Sequence, residues 1–408
     1  MEVRPLATGD GMSEPKVKSL NRLNTLFLTG TLVAALIAVP LNLIFNGFHW
    51  AEWITCAVMV FVIGTAISAG YHRLFSHRAF KASLPVRFLL LVLGAASFEN
   101  SALKWASDHR IHHHQVDDLE KDPYAIGKGF WFAHWTWVME AKEIPLQGVA
   151  DLEKDPLVRW QHRNHFLIGA VVATIPLWLG LALGDFWGFV IVTVLLRIVL
   201  THHTTFLINS AAHVFGSRPY SEDSSARDNW ILAPLTYGEG YHNFHHTWQW
   251  DYRNGHRWYH WDSTKWILGG LGWMGLVREF RRVPSAAIER ARIETEAVQL
   301  RRRLDAKPAA VAHPLQERVA MARLQLDLAL ASLHECREGL KAKRVAWRAE
   351  WKAKGLARKA RKAERAEAWR QARAEWKAIL AHHREQLREA WVEWKAARTA
   401  ARLALVYA

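Results

Sequence analysis

Four apolar runs, each long enough to cross a bilayer as a helix, constrain this chain more than any other feature. A hydrocarbon core of about 30 Å takes roughly 20 mostly apolar residues in an α-helix. Runs of that length extend from Thr25 to Phe48, Trp50 to Gly70, His165 to Leu183 and Phe186 to Ile208. The first two are separated by a short turn, and the last two meet at Gly184 and Asp185. The pattern predicts two transmembrane hairpins. A shorter run, Val86 to Ser97, is too short to span and is expected to be re-entrant or interfacial, packed on protein where its backbone groups can be satisfied.

Charge predicts the orientation. Lys16, Lys18 and Arg22 precede the first run, Arg73 and Arg78 follow the second, and neither intervening turn holds a Lys or Arg. The positive-inside rule therefore puts both termini in the cytoplasm. A polar stretch of more than twenty residues precedes the first run and no small-residue cleavage site closes it, so that run is expected to stay as an anchor. A large soluble protein with buried helices would not explain paired runs joined by charge-free turns.

Histidine is the outlier in composition, with 22 copies, and its spacing asks for a chemical explanation. His72 and His77 lie five apart where the second run ends. His109, His112 and His113 follow an i, i+3, i+4 pattern, which stacks side chains on one helical face. His242, His245 and His246 repeat it, and His213 lies just past the fourth run. On the orientation above, all nine sit at cytoplasmic ends of spans or in cytoplasmic segments. Nine imidazoles are too many for one ion and suit two, each with four or five ligands and a position left for water or oxygen. Imidazole accepts iron, zinc or copper, and the pair is redox-capable if it is iron. Asp108, Asp117, Asp118, Glu99 and Glu239 are candidate acceptors for the second ring N–H groups.

Other histidines are read differently. His134, His162 and His165, at the membrane edge, are expected to be surface residues, and His114 lies off the ligand face. His202 and His203, inside the fourth run, are ambiguous. Cys56 and Cys336 form neither a disulfide framework nor a metal-ligand pattern. A transporter or metal sensor would need ligands at mid-membrane on a permeation path, not at the ends of spans.

Residues 285 to 408 hold 28 Lys and Arg against 15 Asp and Glu, hence +13 of the formal +15. This tail is rich in helix formers and is expected to be helical, with breaks at Pro308 and Pro314. Trp347 and Trp351, Trp369 and Trp376, and Trp391 and Trp394 each fall near one helical face. A coiled coil or self-packed hairpin is the expected use of that seam, with an anionic lipid surface or a protein partner as alternatives. Nucleic acid is not an expected partner.

With those residues in view, the chain resembles the membrane acyl-CoA desaturases of the stearoyl-CoA delta-9 type over roughly residues 20 to 284. Besides the clusters, the resemblance includes Ser107-Asp108-His109-Arg110, Leu196-Arg197, Asn209 to His213, Arg218-Pro219-Tyr220 and Gly238 to His246. A single His-x-x-His-His motif would be shared with hydroxylases and alkane oxygenases. The resemblance implies an all-α integral membrane fold: four transmembrane helices under a cytoplasmic helical cap that holds a histidine-ligated di-iron centre, here followed by a basic helical extension. The expected division is a cytoplasmic segment 1–24, a desaturase domain 25–284 and the tail 285–408. By resemblance the ligands are His72, His77, His109, His112, His113, His213, His242, His245 and His246, with Asn209 holding a metal-bound water. Trp105 and Thr205 match positions near the bend of the substrate tunnel.

The implied reaction is oxygen-dependent cis-desaturation of a long-chain acyl-CoA, with two Fe²⁺ ions and O2. An acyl-lipid desaturase and a related di-iron hydroxylase remain the alternatives. The chain has no Cys cluster for iron and sulfur and no evident haem or flavin motif, so a ferredoxin, rubredoxin or cytochrome b5 type donor with its reductase is expected. The membrane would be a bacterial inner membrane or the endoplasmic reticulum. Arg197, costly against lipid, should face the protein interior or the interface. One departure stands out: Glu140-Ala141-Lys142-Glu143 occupies the place of a basic pair common in the family, which leaves the acyl carrier open between CoA and lipid.

Overall fold

The computed structural model describes residues 20–140, 144–353 and 360–407. Lys16, Lys18, the segment 141–143 and most of the expected segment 1–24 lie outside them. The chain divides into two compact units, one comprising Met1–Ser217 with Asp223–Arg282, the other Arg218–Glu222 with Val283–Ala408.

Among the described residues of the first unit, four helices are long and apolar enough to cross a membrane: α1 (Arg22–Phe45), α2 (Trp50–Ser76), α5 (Pro156–Leu183) and α6 (Phe186–Val214). Each continues past, or starts before, the apolar run that marks it. α5 begins nine residues ahead of His165 because Asp155 caps it, accepting from the N–H groups of Leu157 and Val158, with Pro156 in the first turn. It ends at Gly184, whose φ of +75° suits a left-handed C-terminal residue. α2 and α6 run on to reach His72 and His213. Between the hairpins lie α3 (Leu84–Ala95), which is too short to span, and α4 (Ala102–Gln115), capped by the Ser101 hydroxyl accepting from Lys104 N–H.

The last ten residues of α2, Ile67–Ser76, form a π-helix. In an α-helix, residues five apart point about 140° away from each other. The wider turn, with its i→i+5 hydrogen bonds, brings His72 and His77 closer to one side. α7 (His242–Thr247) and α8 (Ser263–Trp273) complete this unit. Among its described residues the helices are joined by a two-residue antiparallel ladder, in which Lys81 pairs with Arg278 and Ala82 with Val277, and by isolated bridges such as Ser217 to Asp228.

Tyr71, Phe75, Leu91, Leu103 and Leu268 anchor a core shared by α2, α3, α4 and α8. At about 2 kcal/mol for each fully buried large aliphatic side chain, such contacts fix the helix ends that carry the histidines. Gly94 of α3 allows a close approach, since a Cβ there would lie 2.5 Å from the Tyr71 ring. Tyr71 OH in turn accepts from Gln161 of α5 at 2.6 Å. Arg197 of α6 is fully buried and donates to Ala96 O, so it faces protein.

In the second unit, α9 (Ser285–Leu304), α10 (Ala309–Ala353) and α11 (Ala360–Tyr407) bury Ile293, Leu300, Leu304, Leu326 and Trp394 together. α10 and α11 form an antiparallel hairpin, with Ser332 beside His383 and the Trp347 ring tilted against Trp369 at 4.7 Å. The break expected at Pro308 occurs. Pro314 instead lies inside α10, where its place near the N-terminus limits the backbone bonds it removes. The tryptophan pairs are used within this hairpin: Trp347 meets Trp351, Trp369 meets Trp376, and Trp394 is fully buried.

Candidate metal centre

Nine histidines converge in two groups. His72, His77, His109, His113 and His245 make one, and His112, His213, His242 and His246 the other; within each, one ring nitrogen per residue lies within 4.8 Å of all the rest. α2 supplies His72 and, just past its end, His77; α4 supplies three, α6 His213 and α7 three. The i, i+3, i+4 spacing on α4 does not deliver three ligands to one group. His109 and His113, four apart, join the first, while His112 turns to the second.

The ring nitrogens of each group face one another. Nε2–Nε2 separations are 2.9 Å for His72 to His245, His77 to His109 and His113 to His245. They are 3.1 Å for His213 to His242 and 3.0 Å for His242 to His246. Three outer contacts fix which nitrogen carries the proton. His72 Nδ1 lies 3.0 Å from Glu239 Oε2, and His112 Nδ1 lies 2.9 Å from Asp122 Oδ1. His213 Nδ1 lies 2.7 Å from Ser225 Oγ, whose own hydroxyl donates to Asp117 Oδ1. Carboxylates only accept, so each of these Nδ1 atoms bears the hydrogen and each Nε2 presents a lone pair inward.

Protonation cannot relieve the crowding of lone pairs. Burial and neighbouring imidazoles push His77, His109, His113, His245 and His246 well below the ordinary imidazole value, and His242 to about 3. His112 Nε2 is buried with no hydrogen-bond partner. Buried ring nitrogens aimed at two common points, with the inward-facing Nε2 of His112 left without a partner, fit two metal ions. Five and four imidazole donors with outer carboxylates suit a borderline, redox-capable ion such as iron.

Of the five acids considered from sequence, Glu239 reaches a histidine directly and Asp117 does so through Ser225. Asp108 pairs with Lys104, Asp118 caps the turn at Glu120 and Lys121, and Glu99 accepts from Trp105 Nε1 at 3.4 Å. Asp122 was missed. It becomes the partner of His112 because Asp117, at φ +68°, reverses the chain after α4. The Asp122-Pro123 pair ten residues past His112 was the available signal.

Trp105 stacks on His109 at 4.8 Å and donates to Glu99, whose carboxyl burial raises to about 8, with Thr205 beside that carboxyl. These residues form a wall beside the first group. Asn209 is half-buried at the end of the helical stretch Arg197–Asn209, four residues before His213. His134 is buried rather than superficial, because its ring bridges His203 and Ser210 at 2.9 Å each. His162 meets Ser101 Oγ at 2.6 Å, His165 meets the His162 carbonyl, and His202 meets the Ser97 carbonyl. His114 is exposed.

Residues 48–273 match the fatty acid desaturase family. A probable acyl-CoA desaturase of Schizosaccharomyces pombe is 42% identical over 236 residues, covering 57% of this chain and 49% of that protein. Acyl-CoA desaturase 1 of Saccharomyces cerevisiae is 38% identical over 273 residues, covering 65% and 51%. The sn-1 stearoyl-lipid 9-desaturase of Anabaena variabilis is 33% identical over 264 residues, covering 63% and 92%. The chain thus spans about half the length of the two yeast relatives. With more than half of its own residues in the family match and all nine histidines inside it, the chain belongs to the fatty acid desaturase family.

Proposed function

We propose that this chain is an oxygen-dependent desaturase that places a cis double bond in a long acyl chain, at the delta-9 position of an acyl-CoA, using two irons held by the nine histidines. The observation that carries it is the convergence of nine imidazoles in two groups beside Trp105, Thr205 and Glu99. When bound, two irons there supply the redox chemistry by which dioxygen is reduced and two hydrogens leave adjacent methylenes. Reducing dioxygen to two waters takes four electrons and the substrate gives two. The other two come from an external donor of ferredoxin, rubredoxin or cytochrome b5 type with its reductase.

The chain's own residues orient and exclude. Glu239, Asp122 and Ser225 hold protons at the Nδ1 atoms of His72, His112 and His213, which keeps each Nε2 directed inward. Asn209 is assigned to hold a water at the centre. Trp105, fixed by its stack on His109 and its bond to Glu99, helps present two adjacent methylenes so that position selects the C–H bonds that break. The catalytic domain is assigned to residues 25–284, with the active site and both termini cytoplasmic. Arg22 and Arg78 beside the spans support that orientation.

A second reading differs only in the acyl carrier. Glu140 and the residues after it replace a basic pair that would meet a CoA phosphate, and the Anabaena protein named for a stearoyl-lipid is matched over 92% of its length. Both observations favour a lipid-linked acyl chain. The test is gas chromatography and mass spectrometry of fatty-acid methyl esters, with double-bond derivatisation, from cells expressing the wild type or His112→Ala. A new cis-monoene that requires His112 supports desaturation and gives its position. A hydroxy acid instead assigns the chain to the hydroxylases. Sorting the labelled product between thioester and lipid pools decides the carrier.

A further inference from the structure

We propose that the two hairpin turns of the membrane unit carry a separate site for one zinc-like divalent cation, formed by His49, Glu52 and Asp185. These residues come from the turn before α2, the first turn of α2 and the turn between α5 and α6. One ligand atom from each lies within 4.8 Å of the others. His49 Nδ1 is 3.1 Å from Asp185 Oδ2 and 3.3 Å from Glu52 Oε1. His49 Nδ1 donates to Asp185; two ligands bound at about 2.1 Å to a tetrahedral ion are about 3.4 Å apart, so an ion can take the place of that proton with little movement of either side chain.

Glu52 supplies the independent observation. Its side chain is fully buried, Oε2 accepts from Asn42 at 3.2 Å, and Oε1 is buried without a hydrogen-bond donor. That orphaned oxygen faces the Asp185 carboxylate across Gly188. A Cβ on Gly188 would lie 2.5 Å from Glu52 Oε1, 2.5 Å from Asp185 Oδ1 and 2.6 Å from Asp185 Oδ2, so only glycine leaves room for both acids. Two carboxylates placed side by side at a membrane boundary repel each other, and one imidazolium offsets only one of them. A divalent cation offsets both. One nitrogen and two carboxylates with an open fourth position fit zinc better than calcium, which takes six to eight oxygens. His49 is half-exposed, which gives the ion a path in from water.

The site is distinct from the histidine centre. Glu52 and His72 lie twenty residues apart on the same helix, which puts roughly 30 Å between them. An ion there would join the two hairpins at the ends remote from the centre and stabilise the membrane unit without touching the reacting atoms.

The full chain, purified in detergent and loaded with iron, is incubated with one molar equivalent of zinc, passed over a gel-filtration column and analysed for both metals. The expected result is close to one zinc per wild-type chain with iron content unchanged, and little zinc in His49→Ala or Asp185→Asn. Both variants should keep the wild-type iron content and product yield. Zinc should raise the melting temperature of the wild type and leave that of the variants unmoved. Zinc bound equally by wild type and variants, zinc that enters only as iron leaves, or no zinc in the wild type would overturn the proposal. Iron is loaded first because an empty histidine centre would itself take the zinc, and the readout is the difference in zinc between wild type and variants at equal iron content.

Discussion

Replacing Glu239 with glutamine separates two duties that meet on one side chain. Its carboxylate faces His72 Nδ1 at 3.0 Å and accepts from Arg73 at 2.9 and 3.1 Å, with Ser68 and Asn254 also donating. Burial alone would raise this acid, yet Arg73 and His72 hold it well below the usual carboxylate range. Asp262 is the internal control. It lies 3.0 Å from the same guanidinium, while its other partners include the backbone N–H groups of Asn254, Gly255 and Lys265. Stranding a buried ion costs about 3 to 5 kcal/mol. Each single substitution leaves Arg73 one carboxylate, so the expected loss is nearer the value of charged hydrogen bonds, about 2 to 3 kcal/mol. Both variants should therefore melt lower by comparable amounts. Only Glu239→Gln also weakens the hold on the His72 N–H, which should lower metal affinity about 10- to 100-fold. Thermal melts and iron retention under a chelator measure the two effects. Equal iron retention in Glu239→Gln and Asp262→Asn would refute the assignment of Glu239 to His72.

Asp122→Ala should release His112 and lower metal retention about 10- to 100-fold, whereas Asp118→Ala, on the same loop, should leave it unchanged in the same chelator assay. Glu99 binds a proton in the folded state up to about pH 8 but only to about 4.5 when unfolded, so its contribution to stability is full below pH 4.5 and lost as pH rises toward 8. Glu99→Gln should flatten that part of the stability curve, and an unaltered pH profile of melting temperature would count against a buried neutral acid. Truncation after Pro284 removes three helices that bury their own core, and should preserve product formation per mole of enzyme in the methyl-ester assay. Loss of specific activity in correctly inserted, iron-loaded protein would assign the tail a part in turnover.

The spans were legible because a bilayer needs length and apolarity, and both are local properties of the chain. Their polar ends were less so: the Asp155-Pro156 start of α5 is a capping signal, while the π-helical end of α2 depends on what packs around Tyr71 and Arg73. The ligands were legible as residues because spacing and clustering survive in one dimension. Their division was not, since the second cluster serves both groups and the partition follows from how α4 lies between α2 and α7. Ser225 and Asp122 escaped notice for a related reason. Each sits in a loop, and only the reversal at Asp117 brings them behind His213 and His112. Arg73 reads in sequence as a cytoplasmic flank, yet it is 1% exposed and tied to Glu239 and Asp262.

That buried arginine bears on how an all-imidazole shell would hold the two proposed divalent ions. Imidazole ligands would contribute no charge against a total of +4. Glu239, Asp122 and Asp117 stand one hydrogen bond, or one serine, behind the ligands, close enough to offset part of that charge through the ring N–H groups and too far to bind the ions themselves. Arg73 keeps Glu239 ionised and fixed whether or not metal is present, so the carboxylate need not be reorganised when an ion arrives. Imidazoles backed by anions in this way are better electron donors than isolated ones, which suits the proposed reduction of dioxygen.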